Sequence, residues 1–225
     1  MNIALLGAEC TGKSTLAQAL AAHLGASNAP SSDHPAAAEA LCVPELLRDW
    51  CTKAGRTPHI HEQMGIAHAQ AQALDAARAR LGQHGVLVAD TTPLMTAIYS
   101  LHYFQDASLL PFGLAQQKRF SHTWVTALDL PWQADGFLRD GPVAAQAVDR
   151  LLRDTLSQAG VPYQVIHGRG GARLTQALAV LRHSTAAPAC AAHGTPWHTC
   201  AQCGDARSER QLFRQLLNRP PEPSP

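Results

Sequence analysis

No stretch of this sequence approaches the ~20 consecutive apolar residues that a membrane-spanning helix requires, so no membrane partner is expected. An excess of one charge is missing as well. Eighteen Lys and Arg stand against 17 Asp and Glu, for a net +1. Such totals imply no broad basic face, and a nucleic-acid partner is not expected. A leader is absent from the pattern: Met1 runs straight into the apolar Asn2–Leu6, so the expectation is a cytoplasmic protein without a signal peptide. A disulfide framework is also lacking. The six cysteines divide into Cys10, Cys42 and Cys51 in the body and Cys190, Cys200 and Cys203 near the end, which suits a reducing compartment with a metal site in the tail. Aromatics are sparse at 5%, and Trp50, Trp124, Trp132 and Tyr99, which have the rings to stack a base, read as core. No internal repeat is visible.

What is present begins at once. Residues 7–15 read GAECTGKST, and the spacing Gly7-x-x-x-x-Gly12-Lys13-Ser14 fits a phosphate-binding P-loop. Phosphate demands such a loop because small residues let several backbone N–H groups converge on an anion, and the following helix adds its positive end. The loop Gly7, Ala8, Glu9, Cys10, Thr11, Gly12, Lys13, Ser14 and Thr15 is therefore the expected ATP site. Lys13 reaches the β- and γ-phosphates in this reading, and the Ser14 hydroxyl ligates Mg²⁺. The strand-like run before it and the helical run Ser14–Leu20 after it supply the expected context.

Along the chain, 25–40 reads as a loop and Leu41–Pro44 as a short strand. Helices are expected at 45–54 and His61–Leu81, the latter closed by Gly82. Val86–Asp90, Trp124–Leu130 and Tyr163–Ile166 read as strands, with helices at 143–159 and 172–183. Strands alternating with helices of this length predict an α/β fold with a parallel sheet flanked by helices. The composition changes near 184, giving an expected division into a P-loop body, 1–183, and a Cys/His tail, 184–225. The tail carries a short helix candidate, 208–217, and a Pro-rich end expected to be disordered.

In open α/β sheets ligands gather at the carboxyl ends of the strands. Glu45, Asp90 and Asp129 stand at such ends. Asp90 suits a Mg²⁺ ligand, with a helix cap ahead of Thr91-Thr92-Pro93 as the alternative. Glu45 is placed to take a proton from a substrate hydroxyl or to bond a sugar, with an ion pair to Arg48 as its alternative. Arg139, in the Gly/Pro-containing segment 132–142, suits a lid arginine over the moving phosphoryl group, the alternative being a charged surface turn. His59-Ile60-His61-Glu62 is read as solvated or packing residues rather than metal ligands. In the tail, Cys190-x-x-His193 and Cys200-x-x-Cys203 have the pairwise spacing of a structural zinc site, with His198 as a spare ligand, the alternatives being a disordered thiol tail and a disulfide.

Six segments in this order (GAECTGKST, VPELLRDW, IAHAQAQALDAA, VLVADTTPLMTAIYS, WQADGFLRDGP and VPYQVIHGRGGARL) resemble the NadR-type ribosylnicotinamide kinase domain and its AAA-like relatives over about residues 1–182. The resemblance implies a P-loop, nucleoside-kinase-like fold that moves the ATP γ-phosphate to the 5′-hydroxyl of nicotinamide riboside. It implies that Glu45 and Arg48 form the Glu-x-x-Arg segment at the acceptor, that Asp90 closes the third strand, and that Asp135, Gly136 and Arg139 belong to the lid. The chain reads Asp90-Thr91-Thr92 where relatives tend to read Asp-Thr-Asp, and it carries one extra residue between Gly136 and Arg139. No adenylyltransferase segment or helix-turn-helix precedes the P-loop, so neither a second activity nor a repressor role is expected. The expected function is ATP-dependent phosphorylation of a nucleoside-like small molecule, a step of NAD biosynthesis if the acceptor is nicotinamide riboside. The alternatives are a nucleotide-dependent regulatory ATPase and a kinase of another small metabolite.

Overall fold

The computed structural model describes residues 1–27, 39–82, 85–133 and 140–185. Among these residues, five strands form one parallel sheet: β1 (Asn2–Leu6), β2 (Ala40–Val43), β3 (Val86–Asp90), β4 (His122–Thr126) and β5 (Gln164–Ile166), in the order β2-β3-β1-β4-β5. Among the described residues, seven helices connect and cover them: α1 (Lys13–Ser27), α2 (Leu46–Ala54), α3 (Ile60–Leu81), α4 (Pro93–Phe104), α5 (Leu110–Gln117), α6 (Pro142–Gln158) and α7 (Gly171–Thr185). This is the fold of P-loop nucleoside and nucleotide kinases.

The central strands are near-continuous apolar runs because helices cover the sheet on both sides. Alternate residues divide between two cores. Ile3, Leu5, Val88, Trp124 and Ile166 pack with Leu16, Leu20 and Val180 of α1 and α7. Leu6 and Val125 pack instead with Leu94, Met95 and Ile98 of α4 and with Val148 and Leu152 of α6. Register follows: Leu5 pairs Asp90 on one side and Trp124 on the other, so β1, β3 and β4 end close together beneath the P-loop.

Three local expectations change. Helix α1 runs on to Ser27, into the segment read as loop. Strand β4 lies earlier than Trp124–Leu130 and stops at Thr126, because its ladder partner β1 ends at Leu6 and the chain there turns into the P-loop. Helices α4 and α5 were not foreseen. Pro93 to Ser100 of α4 are all buried, so no polar face marks a helical period. The zinc pairs Cys190, His193, Cys200 and Cys203 and the helix candidate 208–217 lie outside the described residues, while α7 carries the body two residues past 183. Among the described residues, no helix is long and apolar enough to cross a membrane, and no three His, Cys, Asp or Glu side chains gather as a metal-holding group.

Candidate active site

The P-loop leaves β1 at Leu6 and enters α1 at Lys13. Gly7, at φ 141°, has no room for a side chain: a Cβ there would stand 2.4 Å from Thr126 Oγ1. Thr126 reaches the same loop through its hydroxyl, 2.7 Å from Thr11 Oγ1, and Thr11 in turn donates to Ala8 O at 2.8 Å. Lys13 is 7% exposed and donates from Nζ to Ala8 O at 2.7 Å, so its ammonium lies across the loop rather than out in water. Cys10 takes a left-handed φ of 57°, and its Sγ exchanges bonds with the backbone of Gln133 at 3.1 and 3.3 Å, tying the loop to the start of segment 132–142.

A second brace was not foreseen. Arg173, in the first turn of α7, is 3% exposed. Its guanidinium donates to Thr11 O, to Gly168 O at 2.7 Å, and to Asp129 Oδ1. Asp129 also accepts from Gly168 N at 2.6 Å. Asp129, read from sequence as a strand-end acid, is thus the counter-ion of a buried arginine that grips the P-loop from behind. Burial lowers the Arg173 pKa, and the carboxylate of Asp129 opposes that. The segment GRGGARL held this signal, but an arginine in a polar loop looks solvated until the fold buries it.

Asp90 closes β3 at 4% exposure, and its Oδ1 is buried without a hydrogen-bond partner among the described residues. Burying an unmatched carboxylate oxygen is costly, and a divalent cation beside the phosphates would match it. Hard oxygen donors such as Asp90 and the Ser14 hydroxyl, completed by phosphate and water, are the set Mg²⁺ takes. The residues fit the ion. The helix-cap alternative for Asp90 does not hold, since Thr92 caps α4 by accepting from Leu94 N at 3.3 Å. Between them Thr91 sits at φ 73°, a conformation a β-branched residue seldom adopts. Such strain concentrates at functional sites.

Glu45 occupies the N-cap position of α2, yet its side chain makes no cap bond. It lines a cavity of about 460 Å³ that also includes Lys13, Ser14, Arg48, Gln63, Tyr99, Tyr103 and Asp140. Burial raises the Glu45 pKa; Asp90 and Asp49 push the same way, while Lys13 and Arg48 oppose. Asp90 itself does not line the cavity, but its charge acts on Glu45 from the strand end. Gln70 of α3, 2% exposed, holds the backbone on both sides of Glu45, accepting from Leu46 N at 2.8 Å and donating to Pro44 O at 3.1 Å. Tyr99 and Tyr103 stack with centroids 6.4 Å apart, and burial raises both hydroxyl pKa values, Tyr103 also through its bond to Asp140.

The structure therefore brings Lys13, Ser14, Glu45 and Arg48 around one cavity with Asp90 close behind. Asp135 and Arg139 lie outside the described residues. Trp124 is core, as expected, whereas Tyr99 is buried yet faces the cavity. In the His59–Glu62 cluster, the backbone N–H of His59 donates to Glu62, which Arg56 pairs at 2.7 Å.

A family model described as an AAA domain matches residues 2–173. A crystal structure of a NadR protein in complex with NR is similar to this chain at 16% identity and a TM-score of 0.63, over 83% of this chain and 51% of that one. A second NadR structure, in complex with NAD and AMP-PNP, gives 16% and 0.60 over 83% and 49%. This chain thus spans about half the length of the NadR chains it matches. Thymidylate kinase from Ehrlichia chaffeensis gives 15% and 0.54 over 80% and 98%. At these identities the likeness is one of fold. No curated protein matches in sequence.

Proposed function

We propose a kinase function for this chain, which belongs to the AAA domain family matched over residues 2–173. The reaction is transfer of the ATP γ-phosphate to a hydroxyl of a nucleoside-like small molecule, with nicotinamide riboside the leading acceptor and nicotinamide mononucleotide its product. One observation carries the reading: the P-loop lysine, Lys13, and the carboxylate Glu45 line the same cavity of about 460 Å³, large enough for a nucleoside beside the phosphates. A regulatory switch would have no use for that second compartment. The NadR structure with NR and the fold shared with thymidylate kinase favour a nucleoside-like acceptor.

In this mechanism the loop amides from Gly7 to Thr15 and the Lys13 ammonium hold the β- and γ-phosphates. Ser14 and Asp90 would hold Mg²⁺, which when bound neutralises phosphate charge. Glu45 accepts the proton of the attacking hydroxyl. Its raised pKa brings its basicity nearer the working pH, which favours proton transfer. Arg48 and Asp135 orient the acceptor, and Arg139 meets the charge that develops on the moving phosphoryl group. The body to residue 183 carries this chemistry, and the site of action is the cytoplasm. The tail from 184 is a separate zinc module held by Cys190, His193, Cys200 and Cys203; its support is their spacing, and metal analysis of untagged protein tests it. The kinase reading is tested by ATP consumption against a nucleoside panel that includes nicotinamide riboside. Stoichiometric ADP and nucleoside 5′-phosphate are expected. Consumption of ATP that no acceptor stimulates would overturn it.

A further inference from the structure

The cavity wall formed by α3 contains a polar group that the phosphoryl-transfer chemistry leaves unused. Gln63 is 3% exposed, lines the cavity, and its Oε1 is buried without a hydrogen-bond partner among the described residues. A buried amide oxygen with no donor is unfavourable unless another molecule supplies one. Its place along α3 says which part of that molecule. Gln70, on the same helix face, bonds the residues flanking Glu45. Gln63 precedes it by two helical turns, about 10 Å along the axis. An acceptor whose reactive hydroxyl rests at Glu45 and whose other end reaches Gln63 therefore has about the length of a nucleoside. The tyrosine pair 99 and 103, on the α4 side of the same cavity, adds aromatic rings to its lining.

Building on the kinase reading above, we infer that Gln63 is the residue that selects the acceptor's base: its side-chain oxygen accepts a hydrogen bond from an exocyclic carboxamide or amino N–H of the heterocycle. The acceptor class is then a nucleoside carrying such a donor at the edge of its ring. A site built to receive a hydrogen bond discriminates strongly against an analogue that leaves its buried group unmatched. Nicotinamide riboside has the donor, in its carboxamide; nicotinic acid riboside replaces it with a carboxylate.

The test is steady-state kinetics of the full chain with matched acceptors that share a sugar and differ at one ring substituent: nicotinamide riboside against nicotinic acid riboside, cytidine against uridine, and adenosine against inosine. The wild type should favour the amide- or amine-bearing member of the pair it turns over by about tenfold or more in kcat/KM. Gln63→Leu, which removes the acceptor oxygen, should bring that ratio to within about threefold by slowing the donor-bearing member alone, with KM for ATP unchanged. Gln63→Glu keeps an acceptor oxygen and adds negative charge that repels a carboxylate or carbonyl, so it should widen the ratio; it decides the matter should the leucine variant not fold. A ratio unmoved by Gln63→Glu, or both members slowed equally in Gln63→Leu, overturns the inference and leaves the kinase reading standing. Failure of the wild type to phosphorylate any of the six overturns the kinase reading, and the inference falls with it.

Discussion

The two ends of the cavity are built in opposite ways. At the proposed phosphate end the donors are local: nine consecutive residues, 7–15, would supply amides, a lysine and a hydroxyl, and neighbouring side chains hold that loop in place. Thr126 hooks it from β4, and Arg173 braces it from α7. At the proposed acceptor end, no two of Glu45, Gln63, Tyr99 and Asp140 share an element; they meet because α2, α3 and α4 pack over the strand ends. Phosphate is small, highly charged and the same in every nucleotide, so backbone amides suffice to hold it. An acceptor differs from enzyme to enzyme, and side chains from several elements must describe its shape.

That contrast can be broken most sharply at Lys13. Lys13→Ala should lower kcat by about a thousandfold, roughly 4 kcal/mol of transition-state stabilisation, with little change in melting temperature. Activity within about tenfold of wild type would remove the phosphate end from the argument altogether.

Glu45→Gln tests the other end and should cost about a hundredfold in kcat while KM for ATP stays within about threefold. If ATP affinity collapses instead, Glu45 belongs to the nucleotide side. Burial raises the Glu45 pKa, so wild-type kcat/KM for the acceptor should fall as pH drops through that raised value, and the glutamine variant should lack this limb. Stability carries the same signature. A carboxyl whose pKa is raised by folding contributes fully below its unfolded pKa and loses that contribution as pH rises through the folded value. Relative to wild type, Glu45→Gln should therefore melt at a higher temperature at pH 8 than the same comparison gives at pH 4.

Asp129→Asn separates bracing from ligation. Leaving Arg173 buried without its carboxylate should lower stability by about 3 kcal/mol in denaturant unfolding, and should raise KM for ATP roughly tenfold while the acceptor KM stays constant. An acceptor effect as large as the ATP effect would mean that the two ends are not built independently. The smallest effect is expected from Gln70→Leu. Loss of its bonds to Pro44 and Leu46 should lower kcat about fivefold, with KM for ATP unchanged, since Glu45 is then less firmly held. Equal loss in kcat and in ATP affinity would reduce Gln70 to a packing residue.

Much of this was written in chain order. The P-loop spacing, the apolar strands, Gly82 and Gly160 behind their helices, and the carboxylates at the carboxyl ends of β2 and β3 are short-range patterns, because backbone geometry and side-chain period act over a few residues. Helix α4 was not legible, since Pro93 to Ser100 are all buried and carry no polar stripe by which a period is recognised; α5 spans only eight residues, too few to show one. Nor were the partners of the buried polar groups. Asp129 became the mate of an arginine 44 residues away rather than a ligand, and Gln63 and Gln70 turned inward from a helix of even, Ala/Gln-rich composition. The sequence by itself determined that the chain carries a P-loop, because that motif is one loop and one helix end. Only the tertiary structure decided what faces the loop, because burial, which makes an ordinary polar side chain specific, comes from elements far apart in the chain.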